Sequence, residues 1–177
     1  MALNPSPLTH VEADDFRSAM SRICTPVSVV TTAVGGRPHG STVSAFASLA
    51  VDPPSVLISL ARTSMLLACI RKSGCFGLNV LEASQDDLAR HFATKGEDKF
   101  AQVPYTSEHG VPRLEGVSVW AACTVSREFS AADHVILIGI AQQVDTRNSV
   151  PLLYHQRHFS QPGSLPGAPV PQAAGFR

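Results

Sequence analysis

The sequence predicts a mainly β fold, an antiparallel β-barrel with a few short helices. About six segments rich in β-branched residues follow one another at short spacing. Turn-forming residues, such as Gly35-Gly36 and Asp52-Pro53-Pro54, separate several of them and favour hairpin connections. Few helical segments alternate with these strands, and no GxGxxG motif follows a strand, so a doubly wound parallel sheet is disfavoured.

The 177 residues fit one domain, which we place at residues 12–160. Residues 1–11 form an N-terminal extension in this division. The last 16 residues, 162–177, hold four prolines and three glycines with little to pack. Residues 161–177 are therefore predicted to be a disordered tail.

The charge content restricts the classes of partner. Fourteen Lys and Arg balance 14 Asp and Glu, and charged residues make up only 16% of the chain, against roughly 25% in an average globular protein. A nucleic-acid partner is not expected, because counterion release needs clustered basic residues. A surface so poor in charge favours burial against a second subunit, so a homodimer is predicted.

The cell compartment is predicted from segments and cysteines. The N-terminus lacks the basic and then apolar pattern of a signal peptide, and the longest apolar run, 135–141, is too short to span a membrane. No membrane association is therefore expected. The cysteines form no CxxC pair, which predicts small buried core residues and a cytoplasmic location. They are Cys24, Cys69, Cys75 and Cys123.

Three short helices are predicted from periodicity and end signals. The first would be capped by Asp14 or Asp15 and broken by Pro26. Its apolar face would comprise Phe16, Ala19, Met20 and Ile23. The second spans 63–72 and ends at Gly74. The third spans 84–93 and begins with a capping box of Ser84 and Asp87.

The strands are predicted from runs of β-branched residues and from alternation. They are 27–34, 39–49, 56–60, 76–81, 117–126 and 134–144. The strand 117–126 alternates most regularly, whereas 134–144 is apolar on both faces and should be covered on both. Residues 94–116 show no period and are interpreted as a long functional or interface excursion.

A hydroxyl-rich strand, 41–48, is the densest polar feature in a β context. Alternation predicts that Thr42, Ser44, Phe46 and Ser48 share one face. Three hydroxyls beside an aromatic ring suit a ring-shaped ligand that carries hydroxyls and a phosphate. An ordinary solvated strand face is the alternative.

Helix starts and basic residues offer candidate phosphate contacts. Unpaired amides at Thr63-Ser64 and Ser84-Gln85 could bind phosphate, or these residues could simply cap their helices. Basic side chains in the same third of the sequence could pair with phosphate or form a solvated face. They are Arg62, Arg71, Arg90, Lys95 and Lys99.

Two further polar features lie in apolar surroundings. Asn79 interrupts an apolar strand, so its amide either bonds neighbouring backbone or contacts a polar ring edge on a ligand. Asp133-His134 begins the apolar strand at 134 and is either an ordinary turn pair or part of a site. The other histidines show no HxH or HExxH spacing, so no zinc site is expected, and no GxSxG motif indicates a serine hydrolase.

The order of these segments resembles the short-chain flavin reductase family over about residues 12–160. The segments are TPVSVVTT, GSTVSAFASL, DPPSVLISL, RTSMLLACIRKSGCFGLNVL, SQDDLARHFATKGEDKF and ADH. Members of that family are flavin-binding (FMN-binding) split barrels that serve as reductase components of two-component flavin-dependent monooxygenases. The resemblance therefore implies an antiparallel split β-barrel.

The resemblance also implies the residues of the site. Those along the flavin ring and ribityl chain would be Ser41, Thr42, Val43, Ser44, Ala45 and Ser48, with Ser59 and Ser64 at the ring edge. Those toward the ribityl and phosphate side would be Asn79, Val80, Ser84, Gln85, Arg90 and Phe92. His134, beside Asp133, would be the catalytic residue that holds the nicotinamide, and Arg157 and His158 would contact the dinucleotide. Ala132 stands where the family usually has glycine.

The implied function is an NAD(P)H:flavin oxidoreductase. It would reduce FMN or FAD with NADH or NADPH and would act as a homodimer that supplies reduced flavin to a monooxygenase. Two alternatives remain open. One is a flavin or haem-type carrier on the same barrel without reductase turnover, suggested by Ala132. The other is an oxidase resembling pyridoxamine-phosphate oxidases.

Overall fold

The computed structural model describes residues 10–96 and 98–163, in which the chain forms three short helices and twelve strands whose pairings are all antiparallel. The helices are α1 (Ala13–Met20), α2 (Met65–Ser73) and α3 (Asp86–Ala93). The strands are β1 (Thr25–Pro26), β2 (Ser28–Val34), β3 (Arg37–Val43), β4 (Phe46–Val51), β5 (Pro54–Ala61), β6 (Cys75–Val80), β7 (Tyr105–Glu108), β8 (Val111–Leu114), β9 (Val119–Ala131), β10 (His134–Thr146), β11 (Leu153–His155) and β12 (His158–Ser160). The predicted mainly β, antiparallel class is confirmed. The predicted extension 1–11 and tail 161–177 lie outside the described residues except at 10–11 and 161–163.

Seven strands form one antiparallel sheet in the order β3-β2-β6-β9-β10-β5-β4. β3 and β4 stand at opposite ends of this sheet, yet only Ser44 and Ala45 join them in the chain. The two ends must therefore meet, and the sheet curls into a barrel. We call the passage of the chain from β3 to β4 through Ser44 and Ala45 the crossing. The place beside it where β3 comes next to β5 is called the seam.

The predicted single strand 39–49 is wrong, because the chain changes its partner strand at the crossing. β3 pairs with β2 as far as Val43, whereas β4 pairs with β5 from Phe46 onward. One continuous strand could not follow both partners, because they lie at opposite ends of the sheet. The break is stabilised by the amide of Ser59, which donates to the carbonyl oxygen of Ala45 at 2.9 Å.

The central strands bury both of their faces, which builds two cores. Val30 packs inside the barrel, where α2 contributes Leu67, whereas Val29 packs in an outer core with Phe92 of α3 and with Trp120. The regular alternation predicted for 117–126 is therefore present in β9, but both sets of side chains near its start are buried. This double covering fixes β2, the strand with which β3 pairs beside the seam.

β10 is covered less completely than predicted. Val135 and Leu137 are buried inside the barrel, whereas Ile136 and Ile138, on the other face, are half-buried in this single chain. The expected cover on both faces is thus observed on one face only.

The predicted excursion 94–116 contains a β-hairpin, formed by β7 and β8. His109 and Gly110 join the two strands with positive φ angles of 50° and 75°. Buried Asn79 holds this hairpin on the sheet, because its Oδ1 accepts from the amide of Leu114 at 2.8 Å. Strands of four residues are too short to show a reliable period, so the sequence did not predict them.

Two of the three predicted helix starts are wrong. α1 begins at Ala13 after Glu12, so Asp14 and Asp15 lie inside the first turn. There their negative charges interact favourably with the helix dipole, but neither residue caps the helix. α3 begins after Gln85, and the hydroxyl of Ser84 donates to the Glu82 carboxylate, so the capping box does not form.

The second helix agrees with its prediction at both ends. In α2 the Ser64 hydroxyl accepts from the amide of Leu67 at 3.4 Å. Gly74 ends the helix with φ 74°, as predicted.

The N-terminal region differs from the sequence prediction in its burial. α1, all of whose residues are described, buries none of them, and Phe16 is 56% exposed. The four cysteines are free. Cys24 is exposed and Cys75 is half-buried, so the prediction of buried cysteines is confirmed only for Cys69 and Cys123. Within the described residues, no helix is long and apolar enough to cross a membrane.

Candidate functional site

A cavity of about 730 Å³ opens beside the seam, and we call it the seam cavity. Three stretches of the chain line it: residues 37–41 of β3, the end of β5 with the start of α2, and the segment that follows α3. The cavity therefore lies where the barrel ends meet and where α2 begins. A volume of this size suits a small-molecule ligand, for which sites usually measure about 300–1,000 Å³.

The seam cavity is basic. Arg37, His39, Lys95 and Lys99 line it, and none of its described lining residues carries a carboxylate. The first turn of α2, with its N-cap Ser64, also lines the cavity and adds a partial positive charge. The arrangement favours an anionic group such as a phosphate.

The sequence predicted part of this basic lining. Ser64, Lys95 and Lys99 were candidate phosphate contacts, and all three line the seam cavity. Arg37 and His39 were missed, although alternation along β3 places both on the same strand face as Ser41. That alternation in RPHGS was the available signal.

Close packing holds the end of α3 against β3. A Cβ added to Gly40 would lie 2.9 Å from a ring carbon of Phe92 and 3.2 Å from Phe100. The Lys99 ammonium donates to the Phe92 carbonyl at 2.8 Å and to the Gly40 carbonyl at 3.4 Å. Burial lowers the pKa of Lys99. Phe92 is fully buried, so it supports the cavity wall from behind.

The hydroxyl-rich strand does not present the predicted face. The Thr42 hydroxyl donates to the Ala89 carbonyl of α3 at 2.6 Å, on the side away from Val43, which is buried in the barrel. Phe46 packs against the barrel core. The predicted common face of Thr42, Ser44, Phe46 and Ser48 is wrong, because the alternation stops at the crossing. Ser41 lines the cavity, and Ser44, Ala45 and Ser48 are exposed near the seam.

His134 lies next to the cavity wall. In the ladder between β5 and β10, His134 pairs with Ala61, which lines the seam cavity, and Ile136 pairs with half-buried Ser59. The Asp133 carbonyl accepts from the Arg62 amide at 3.0 Å. The turn that carries His134 is thus bonded to the segment that leads into α2.

The Asp133 side chain orients the histidine. Its Oδ1 lies 2.7 Å from Nδ1 of His134, and this hydrogen bond lowers the pKa of the Asp133 carboxyl. Ala132, before it, has φ 49°, the left-handed conformation that glycine adopts freely. Alanine therefore forms the same two-residue turn between β9 and β10 that the family glycine would allow.

Several predicted residues lie away from the seam cavity. Asn79 is fully buried, and its amide nitrogen donates to the Val29 carbonyl and the Thr31 hydroxyl, both at 3.1 Å. Its Oδ1 also accepts from the Leu114 amide. These three hydrogen bonds favour the interpretation that the Asn79 amide bonds neighbouring groups of the protein. Val80 packs inside the barrel.

Ser84 and Gln85 lie at the opposite end of α3 from the seam cavity. Eight helical residues separate the two ends by about 12 Å. Both line a second cavity of about 630 Å³, with Glu82 and Arg147, which we call the α3 cleft. The hydrogen bond from the Ser84 hydroxyl lowers the pKa of Glu82, so a carboxylate occupies this cleft.

The predicted arginines lie on the outer side of the fold. The Arg90 guanidinium stacks 4.8 Å above the Phe159 ring and lies 3.8 Å from Asp86. Arg157 is at the tip of the β11–β12 hairpin, where it and Gln156 both have positive φ angles. His158 begins β12 beside them and is exposed.

The comparisons with known proteins agree with this architecture. A profile of the flavin reductase like domain matches residues 20–163. An actinorhodin polyketide dimerase of Streptomyces coelicolor is 38% identical over 163 residues, which are 90% of this chain and 92% of that protein. A flavin reductase (NADPH) of Lentzea aerocolonigenes is 37% identical over 160 residues, 87% of this chain and 92% of that protein.

A solved structure of a similar protein shares the fold of this chain. The homolog of nitrilotriacetate monooxygenase component B from Mycobacterium thermoresistibile superposes with a TM-score of 0.84 at 27% identity. The match covers 91% of this chain and 92% of that one. Because the profile spans most of the chain and two relatives exceed one-third identity over nearly their full length, this chain belongs to the flavin reductase like domain family.

Proposed function

We propose that the protein is an NAD(P)H:flavin oxidoreductase, which reduces FMN or FAD and supplies reduced flavin to a partner monooxygenase. The observation that carries the proposal is the basic seam cavity beside His134, in a chain that belongs to this family. The relative named as an NADPH flavin reductase supports the activity. The neighbour named as a monooxygenase component supports the partner.

The residues at the seam fit a flavin. The phosphate would bind among Arg37, Lys95 and the start of α2 at Ser64, where basic groups and helix amides face the cavity. The ring would lie along the exposed crossing at Ser44 and Ala45, with the hydroxyls of Ser41, Ser48 and Ser59 near it. When bound, the flavin supplies a two-electron acceptor for the nicotinamide.

The chain itself contributes orientation to this reaction. Bringing two rings into contact in a fixed order is the main catalytic requirement, and no general acid is needed. The turn at Asp133 fixes His134 beside Ala61, so the imidazole can contact a nicotinamide that enters at the cavity edge. Exposed backbone at the crossing can bind polar edges of the flavin ring.

A homodimer is part of the proposal. β4 is an edge strand on which Leu49 is 47% and Val51 is 78% exposed, and Phe129 of β9 is 49% exposed. Large exposed apolar side chains, two of them on the edge strand β4, favour burial against a second copy. Light scattering on the purified protein should give twice the 18.8 kDa mass of one chain. A single-chain mass at micromolar concentration would contradict the dimer.

The alternatives have less support. The carrier hypothesis depended on Ala132, but this residue adopts the conformation that the turn requires. No specific observation favours the carrier or the pyridoxamine-phosphate oxidase. A cytoplasmic location is proposed because NADH and NADPH are cytoplasmic metabolites.

The function is tested by steady-state assays that combine NADH or NADPH with FMN or FAD. Oxidation of one nicotinamide should exceed the flavin-free control with at least one flavin. The four combinations also determine which flavin and which nicotinamide are preferred. No rate above the control in any combination would refute the function.

The role of His134 is tested in the same assay. His134→Ala should raise the KM for the nicotinamide more than the KM for the flavin. The reason is that His134 lies beside Ala61 at the edge of the cavity, where the nicotinamide is proposed to enter. His109→Asn, on the distant β7–β8 turn, is the matched control and should leave both constants unchanged. A larger rise in the flavin KM would contradict this assignment.

A further inference from the structure

His39 is a half-buried histidine in the wall of the seam cavity. It lies on β3, where it pairs with Thr32 of β2, and alternation places it on the same strand face as Arg37 and Ser41. The resemblance to flavin reductases assigned it no role. It is the titratable group of this wall whose ordinary pKa is nearest to neutrality.

The charged groups that act on His39 are cationic. Arg37 lies on the same strand and Lys72 on α2, and Lys95 and Lys99, from the segment after α3, line the same cavity. No carboxylate occurs among the described residues of this cavity wall. Partial burial first, and then the charges of Arg37 and Lys72, lower the pKa of His39, so the imidazole is mainly neutral at pH 7.

A phosphate in the cavity would reverse that balance. A nearby anion favours the imidazolium, because the charged form gains a charge-assisted hydrogen bond. The neighbouring cations would then be neutralised by the same phosphate. Binding and protonation of His39 are thereby coupled.

We propose that His39 is a binding residue for the flavin phosphate that makes its contact in the protonated state, so that flavin binding takes up a proton. This inference rests on the proposed function for the identity of the ligand. The sign of the pH dependence of flavin affinity follows from the direction in which binding shifts the pKa of His39. The pKa of His39 is higher in the complex than in the free protein, so affinity is greatest at low pH and falls as pH rises between the two pKa values.

The direct test is titration of FMN, followed by flavin fluorescence, from pH 6 to pH 8 without any nicotinamide. For the wild-type protein the Kd should rise with pH, by at most about tenfold per pH unit for one linked proton. The FMN phosphate itself titrates near pH 6, so the comparison with His39→Gln isolates the contribution of the histidine. This variant should bind FMN more weakly at pH 6 and lose the additional slope.

A second variant and a second ligand make the test specific. His39→Arg carries a permanent charge and should bind FMN tightly with no slope beyond that of the phosphate. Riboflavin, which lacks the phosphate, should show no pH dependence. His109→Asn is the control and should behave as the wild type.

Several results would overturn the inference. They are a wild-type slope that persists in His39→Gln, an equal slope for riboflavin, or no binding of FMN at pH 6. The binding assay is independent of turnover. A protein that shows the expected slope but oxidises neither nicotinamide would therefore refute the proposed function and leave this inference intact.

Discussion

The two ends of α3 differ in a way that decides where an anion can bind. The helix dipole favours an anion at the N-terminal end, beside Ser84 and Gln85. The side chains favour the other end, because Glu82 offsets the charge of Arg147 in the α3 cleft, whereas Lys95 and Lys99 follow the helix into the seam cavity, whose described lining has no carboxylate. Full charges outweigh the half charge of a helix end, so the distribution of side chains locates the candidate phosphate site.

The largest expected effect tests the structural role of Asn79. Asn79→Ala should lower the free energy of unfolding by about 1–3 kcal/mol, because it leaves the buried Leu114 amide without its acceptor. The Kd for FMN, measured on the folded protein, should not change. Urea denaturation and FMN titration report the two quantities.

Ser107→Ala, an exposed change on β7, is the control for Asn79→Ala and should alter neither quantity. Loss of FMN binding at unchanged stability would instead show that Asn79 contacts the ligand. Asn79 would then belong to the ligand site, and its assignment to a purely structural role in the buried sheet would be wrong.

The next effect compares one arginine from each of the two cavities. Arg37→Gln should weaken FMN binding by about tenfold, or about 1.4 kcal/mol, because it removes one charged contact from the seam cavity. Arg147→Gln makes the same chemical change in the α3 cleft and should leave the Kd unchanged. Fluorescence titrations at equal ionic strength give both values. Equal losses in the two variants would contradict the assignment of the phosphate to the seam cavity.

The two serines before α2 and α3 offer a smaller comparison of stability. Ser64→Ala should cost about 1 kcal/mol of stability, because the hydroxyl caps the Leu67 amide. Ser84→Ala should change the stability little, because its exposed hydroxyl bonds an exposed carboxylate. Urea midpoints measured in parallel check the difference. A greater cost for Ser84→Ala would indicate that the predicted capping box operates after all.

The smallest effect concerns the turn before His134. Ala132→Gly should raise the free energy of unfolding by about 0.5–1 kcal/mol, because glycine adopts the positive φ without a steric penalty. The nicotinamide KM should be unchanged, since the turn is already formed. Thermal unfolding and steady-state kinetics measure the two quantities. A marked fall in the nicotinamide KM would show that Ala132 displaces His134.

Local signals in the sequence predicted the local parts of the structure. Gly35-Gly36 predicted the β2–β3 hairpin, and Gly74 predicted the end of α2, because each follows from the backbone preferences of one or two residues. The break at Ser44 and Ala45 was not predictable in this way. It results from a change of partner strand, which depends on residues far away in the chain.

The candidate site follows the same rule. Ser64 and Lys95 were predicted from a helix start and from nearby basic residues, and both line the seam cavity. Asn79 was only identified as a buried amide, because its partner Leu114 lies 35 residues away. The sequence also could not show that Ser84 bonds Glu82 and that α3 separates this pair from the seam.

The most direct test of this account is a crystal structure of the protein with FMN. The account predicts that the phosphate lies in the seam cavity, within hydrogen-bond distance of the first turn of α2 and of at least one of Arg37, His39 and Lys95. A phosphate bound at Ser84 and Gln85 in the α3 cleft would contradict it.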